Sequence, residues 1–161
     1  MKFAANTSPN QEKKEWKNIA KQRIKVQQAY YHLTNVRHDY IIKSLTKIVS
    51  KNPEYIAIED LNIKGMMKNK HLAKSIAECE FYYIRLYLEY LCLRYNIELR
   101  YVNMWYASSK ICSNCGHIKH DLRLNDRTYI CPECGLVIDR DYNASMNIRD
   151  CRKFTKMKHK M

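Results

Sequence analysis

The sequence predicts an α/β protein with a long N-terminal helix and a cysteine-rich insertion late in the chain. Three observations carry that expectation. Residues 11–50 contain neither glycine nor proline. Two short apolar runs, residues 55–61 and 97–102, flank an aromatic-rich stretch with helical spacing. Two Cys-x-x-Cys-Gly segments then follow, with fifteen residues between Cys115 and Cys131.

Composition bounds the rest. With 161 residues the chain allows one ordinary domain, or a modest core plus a small module. Its apolar runs are too short and too often broken by charge for a membrane span, and residues 1–10 lack the apolar core of a secretion signal. No membrane partner is expected. Paired cysteines without a secretion signal point to a reducing compartment, so a cytoplasmic, nucleoid-associated location is expected.

The net charge of +13 is unevenly spread. Residues 1–52 hold 11 basic and 3 acidic side chains, residues 53–105 hold 7 of each, and residues 106–161 hold 11 and 6. Two positive ends around a neutral middle suit a polyanion held by the ends, although a merely soluble basic surface would look the same.

Residues 1–10 are polar and expected to be disordered. In residues 11–52, Ile19, Val26, Leu33 and Tyr40 recur every seven positions, predicting one long amphipathic helix or two, with a coiled-coil-like seam. Lys13, Lys14, Lys17, Lys21 and Lys25 populate its outer surface, as a solvated face or a phosphate-tracking one. His38 reads as structural. Asn52-Pro53 ends the helix.

Residues 54–61 read as a short strand running into acid, with Tyr55, Ile56 and Ile58 suited to burial. Glu59 stands at its C-terminal end, where open α/β sheets place their sites, and Asp60 faces the opposite way. A strand-ending acid in water is the plain alternative. Residues 62–70 read as a loop bearing Lys64. Residues 71–95 read as one helix whose face is Leu72, Ile76, Tyr83, Leu86, Tyr87, Tyr90 and Leu91. Asn96 stops it, and residues 97–102 form a second strand. Residues 105–110, ending at Lys110, lead into the insertion.

In the insertion, Cys112, Cys115, Cys131 and Cys134 form two knuckles, each followed by a glycine. A knuckle turns two sulfurs to one point, and the glycine permits the backbone turn. The spacing fits a four-thiolate structural Zn2+ site, a zinc ribbon, with disulfides or buried thiols as the alternatives. His117 and His120 are possible substitutes, but four thiols already fill the site. Cys79, Cys92 and Cys151 have no knuckle partner. Asp141 then either caps the helix begun by residues 143–148 or offers a metal-binding carboxylate at its start. The tail from Arg152 to Lys160 carries five basic residues and no acid, and reads as a flexible electrostatic contact.

Four ordered stretches, residues 58–66, 72–76, 108–116 and 139–144, resemble the C-terminal half of the TnpB-type (OrfB) transposon-encoded nucleases, relatives of the type V CRISPR effectors. The resemblance implies a partial RNase H-like (RuvC) fold over residues 53–107 and 139–150, interrupted by the zinc ribbon at 108–138, with a basic tail at 151–161. It implies DNA and a guide RNA as partners, and Mg2+ or Mn2+ held by three acids. Carried over by motif, the second acid is Glu59 and the third Asp141, in preference to Asp139. The family's first acid lies in a Gly-Ile-Asp-x-Gly strand upstream of the long helix, and no residue here matches it. The resemblance thus implies a truncated copy that binds nucleic acid; the alternatives are a non-catalytic zinc-ribbon DNA-binding or regulatory protein, or one half of a split nuclease whose first acid comes from a separately encoded partner. Cleavage by this chain alone is not expected. Lys13, Lys14, Lys17, Lys21, Lys64 and Lys110 are the expected nucleic-acid contacts.

Overall fold

In a computed structural model the described residues are 9–123 and 125–157, with side chains described from Trp16 onward. The chain divides into two compact units, residues 1–44 and 45–161. Helix α1 runs unbroken from Pro9 to Val49, about 60 Å at 1.5 Å per residue. One helix therefore replaces the alternative of two. Pro9 and Asn10 are helical, unlike the disorder expected of them, while residues 1–8 lie outside the described residues.

Within the first unit the seven-residue stripe is not a buried seam. Ile19, Val26, Leu33 and Tyr40 are all exposed, and so are Lys17, Lys21 and Lys25. The pattern is real, but no apolar surface within its own unit covers it. Asp39 pairs with Lys43 one turn on, at 2.6 Å.

The second unit begins with the last turn of α1, where Leu45 and Val49 are buried. Its sheet has the order β1-β2-β5. Strand β1 (Tyr55–Asp60) lies parallel to β2 (Glu98–Asn103), from Tyr55 opposite Glu98 to Asp60 opposite Asn103. Between them run α2 (Ile63–Met66), α3 (Ala73–Glu78) and α4 (Phe81–Tyr95). A parallel pair needs such a helical crossover, because a tight turn cannot return the chain to the same end.

Three expectations change here. Residues 62–70 are not simply a loop. The Asn62 side chain accepts from the Gly65 N–H at 2.9 Å and caps α2, and a Cβ at Gly65 would come within 2.5 Å of that side chain. The helix expected over residues 71–95 breaks at Glu80, whose φ of +51° ends α3 and restarts the chain as α4. Propensity gives no signal for a left-handed glutamate. The buried face of α4 is Leu88, Leu91 and Cys92, one residue round from the expected stripe, leaving Leu86 and Tyr90 exposed. Asn96 does stop α4, in the left-handed conformation that allows its N–H to bond back to Cys92.

The tail is not free either. Strand β5 (Phe154–Lys156) pairs antiparallel with β2, Val102 opposite Phe154. Arg100 lies between the rings of Tyr55 and Phe154, at 3.5 Å and 4.5 Å from their centroids, so one guanidinium ties all three strands across one sheet face. Glu98, held below the usual carboxylate range first by Lys156 and then by Arg100, adds a second tie from β2 to β5. Residues 158–161 lie outside the described residues. No helix among the described residues is long and apolar enough to cross a membrane.

Candidate metal centre and acidic site

The insertion contains a small hairpin, β3 (Thr128–Ile130) paired antiparallel with β4 (Val137–Asp139); the second knuckle lies between the two strands and the first precedes them in the chain. In each knuckle the glycine N–H returns to the first cysteine carbonyl, Gly116 to Cys112 at 2.9 Å and Gly135 to Cys131 at 3.1 Å. Both glycines have φ near +70°, Gly116 at 77° and Gly135 at 70°, a region a side chain disfavours. Beneath the knuckles the Tyr129 ring is fully buried, with Leu122, Leu136 and Ile138 packed around it.

The sulfurs of Cys112, Cys115, Cys131 and Cys134 all lie within 4.8 Å of one another. The pairs Cys112–Cys134 and Cys115–Cys131 are 3.6 Å apart. Disulfide sulfurs would be ~2 Å apart, whereas four thiolates ~2.3 Å from a tetrahedral zinc are ~3.8 Å from each other. The donor set and its spacing therefore fit zinc. Leu136 N–H and the Asn114 side chain hold Cys134 down to about 6. At Cys115 the His117 N–H pulls down, but burial and the neighbouring thiols push it up to about 12. Four sulfurs this close cannot all be thiolates unless a cation offsets their charge. Neither His117 nor His120 joins the cluster; His117 contributes its carbonyl to the Cys112 N–H at 2.8 Å.

A pair of asparagines that sequence reasoning missed fixes this module to helix α5 (Arg140–Arg149). Asn143 is fully buried. Its Oδ1 accepts from Ser113 N–H at 2.9 Å and its Nδ2 donates to Ile111 O at 2.7 Å. One turn later Asn147 Nδ2 donates to Ser108 O and to the same Ile111 O, at 2.8 Å and 2.7 Å. The signal was the spacing of four between two asparagines inside a helix, where asparagine is otherwise disfavoured.

The acids are arranged differently from the simplest expectation. Asp139, not Asp141, caps α5, accepting from the N–H groups of Asp141 and Tyr142 at 2.9 Å each. Asp141 is left exposed in the first turn, beside Arg140 at 3.0 Å and Arg127 at 3.8 Å. Glu59 is half-buried beside a hollow of about 180 Å³ that Ile58, Leu61, Phe81, Leu88 and Arg85 also line, and burial raises its pKa from the ordinary carboxylate value. Asp60 is exposed and is held by Arg85 at 2.8 Å. Arg85 also meets Glu89 at 3.1 Å and lies 4.6 Å over the Tyr101 ring.

Of the lysines expected at nucleic acid, Lys17 and Lys21 are exposed in the first unit and Lys64 in the second, whereas Lys110 is half-buried. The side chains of Lys13 and Lys14 lie outside the described residues.

Residues 81–148, which include α4, β2 and the whole cysteine hairpin, match the profile of the family described as Cas12f1-like, TNB domain. Over 131 residues, 81% of the chain, the sequence is 39% identical to a Streptomyces pristinaespiralis protein named "Putative RNA-guided DNA endonuclease". It is 32% identical over 146 residues to an Escherichia coli protein named in the same terms. It is also 34% identical over 126 residues to a TnpB-like protein of Acanthamoeba polyphaga mimivirus. The chain is a TnpB-type relative of the type V effectors. Its fold is similar to a Cas12f1 chain solved in complex with sgRNA and target DNA, at a TM-score of 0.59 and 18% identity, over 88% of this chain and 42% of that one. The chain spans only 32%, 36% and 24% of the lengths of those three TnpB-type relatives. The cysteine hairpin, its asparagine clamp and Asp141 all fall inside residues 81–148, the region that matches the Cas12f1-like, TNB domain family.

Proposed function

We propose that these residues form the zinc ribbon and part of the RuvC-like fold of an RNA-guided DNA endonuclease, and that they bind DNA and a guide RNA. One arrangement carries the reading furthest. Helix α5 packs on β1, and Tyr55 Oη donates to Arg149 O at 3.1 Å, tying the last turn of α5 to the first residue of the strand. From Arg149 back to Asp141 the helix rises ~12 Å, and from Tyr55 to Glu59 the strand rises ~13 Å. With α5 running antiparallel to β1 from that bond, Asp141 and Glu59 would stand toward one end, the C-terminal end of the parallel strands, where α/β sheets hold their ligands.

Two carboxylates do not complete a metal site for phosphodiester cleavage. Among the described residues the only group of three or more potential ligands drawn together is the four cysteines. Mg2+ or Mn2+, when bound, would polarise a phosphate and activate water, with Glu59 and Asp141 as its ligands from this chain. A third acid would come from another strand, outside these residues. Strand β1 is at the edge of the sheet among the described residues, with one side open for such pairing.

The purified chain, given Mg2+ and a guide RNA, is expected to bind DNA without cutting it. Adding a polypeptide that carries the family's Gly-Ile-Asp strand restores cutting, and Glu59→Gln or Asp141→Asn abolishes it again. Cutting by the chain alone that Glu59→Gln removes would overturn the count of acids. Cutting that survives both substitutions would overturn their assignment. A second reading, a non-catalytic zinc-ribbon DNA-binding protein, is favoured by the two guanidinium groups beside Asp141, which compete with a cation for its oxygens. Binding that no added strand converts to cutting decides for it.

A further inference from the structure

A cleft along the second unit opens where β2 ends. Asn103, the last residue of β2, accepts the Trp105 N–H on Oδ1 at 2.8 Å and the Tyr106 N–H on its carbonyl at 2.9 Å. This tight turn throws Trp105 outward. At 83% exposure it is the most exposed large apolar side chain described. Beside it lies a cleft of about 820 Å³, walled by Trp105, Tyr106, Asp60, Asp150, Arg152 and Lys153 among others. The antiparallel register of β5, Val102 opposite Phe154, carries Arg152 and Lys153 to the flank of residues 103–105.

The charges in this cleft do not cancel. Asp60 is bound by Arg85 at 2.8 Å, and Asp150 is held by Arg149 through two contacts of 2.7 Å. Arg152 and Lys153 are exposed, and among the described residues neither has a carboxylate partner. An upright indole beside two unpaired cations, in a hollow larger than a side chain, is complementary to a flat ring carrying phosphates.

We propose that this cleft holds an unpaired nucleotide of a single strand, its base stacked on Trp105 and its phosphates on Arg152 and Lys153. A base in a duplex has both faces covered, so only a single strand offers one to the indole. Asp60 forms part of the wall and adjoins Glu59, so a strand held here passes the C-terminal end of β1 where the candidate acid stands. The inference rests on the nucleic-acid reading above and adds the strandedness and the contact.

The chain has two tryptophans, so Trp16→Phe leaves Trp105 as the only indole. In the full chain with that substitution, an oligothymidylate single strand should quench the emission, and a blunt duplex should not. Trp105→Ala should weaken oligothymidylate binding about tenfold, Trp105→Phe should recover most of it, and duplex affinity should change less than twofold. Circular dichroism and zinc content check that Trp105→Ala is folded, while the quenching measurement does not depend on that variant. Salt-dependent binding of oligothymidylate without quenching would overturn the cleft and leave the nucleic-acid reading standing. Failure to bind any nucleic acid would remove both. Equal quenching by polyglutamate would overturn the nucleotide in favour of an acidic protein.

Discussion

Asn143 shows how much a single buried amide can determine. It has no exposure, and it answers two backbone groups of the first knuckle, the Ser113 N–H and the Ile111 carbonyl. Removing it takes the partner from a half-buried N–H, and an interior N–H left unpaired costs about 1–3 kcal/mol on top of the forfeited packing. Asn143→Ala is therefore expected to destabilise the second unit by about 2–3 kcal/mol, read as a lower denaturation midpoint with an unchanged slope. Because Asn147 still donates to Ile111 O, an alanine at both positions should cost more than either alone. A change within ~0.5 kcal/mol at Asn143 would refute the clamp. The same scale separates neighbours on β1. Alternation of a strand turns Glu59 and Asp60 to opposite faces, and Glu59 is half-buried whereas Asp60 is exposed and paired with Arg85, so adjacent acids have different chemistry.

At the scale of elements, the cysteine hairpin has almost no core of its own. Its buried side chains are Cys112, Cys131 and Tyr129, too few to offset the entropy of ordering two knuckles. Metal binding energy has to make up the difference, and in such modules it is part of the folding energy. Chelation at neutral pH is expected to unfold residues 112–134, seen as loss of amide exchange protection there and at the Ser113 N–H. Cys115→Ser should lower both zinc stoichiometry and stability; one zinc per chain with full stability would refute the assignment. Helix α4 teaches a related lesson about faces. Its aromatic stripe is wide enough that several registers look equally apolar, and Tyr83 and Tyr87 stack on each other at 6.1 Å outside the sheet-facing row of Leu88, Leu91 and Cys92.

At the scale of the whole chain, charge is the dominant physical fact. A net +13 on 161 residues repels itself unless a polyanion or counterions offset it. Affinity for nucleic acid is expected to fall steeply as salt rises from low to physiological concentration, with little dependence on sequence, because released counterions drive such binding. Replacing Lys13, Lys14 and Lys17 by alanine should reduce the slope of log affinity against log salt by about one for each phosphate left without its lysine. Titration by fluorescence anisotropy at several salt concentrations measures this, and an affinity indifferent to salt would sink the polyanion reading.

The sequence by itself determined what depends on local spacing. The four cysteines, their glycines, the strand that carries Glu59 and the stop at Asn96 were legible because each is a short-range pattern with one good conformational solution. The TnpB-type relationship was legible for the same reason, as ordered motifs along one chain. What only the tertiary structure decided depends on partners distant in sequence. Asp139 rather than Asp141 caps α5, freeing Asp141. Asn143 and Asn147 meet a knuckle more than thirty residues away, or just thirty in the case of Ser113. The tail becomes β5 because β2 presents an open edge, and Arg100 can then lie between Tyr55 and Phe154. The exposed stripe on α1 marks the same boundary: a heptad states that a helix has an apolar face, and only the three-dimensional neighbours state whether anything covers it.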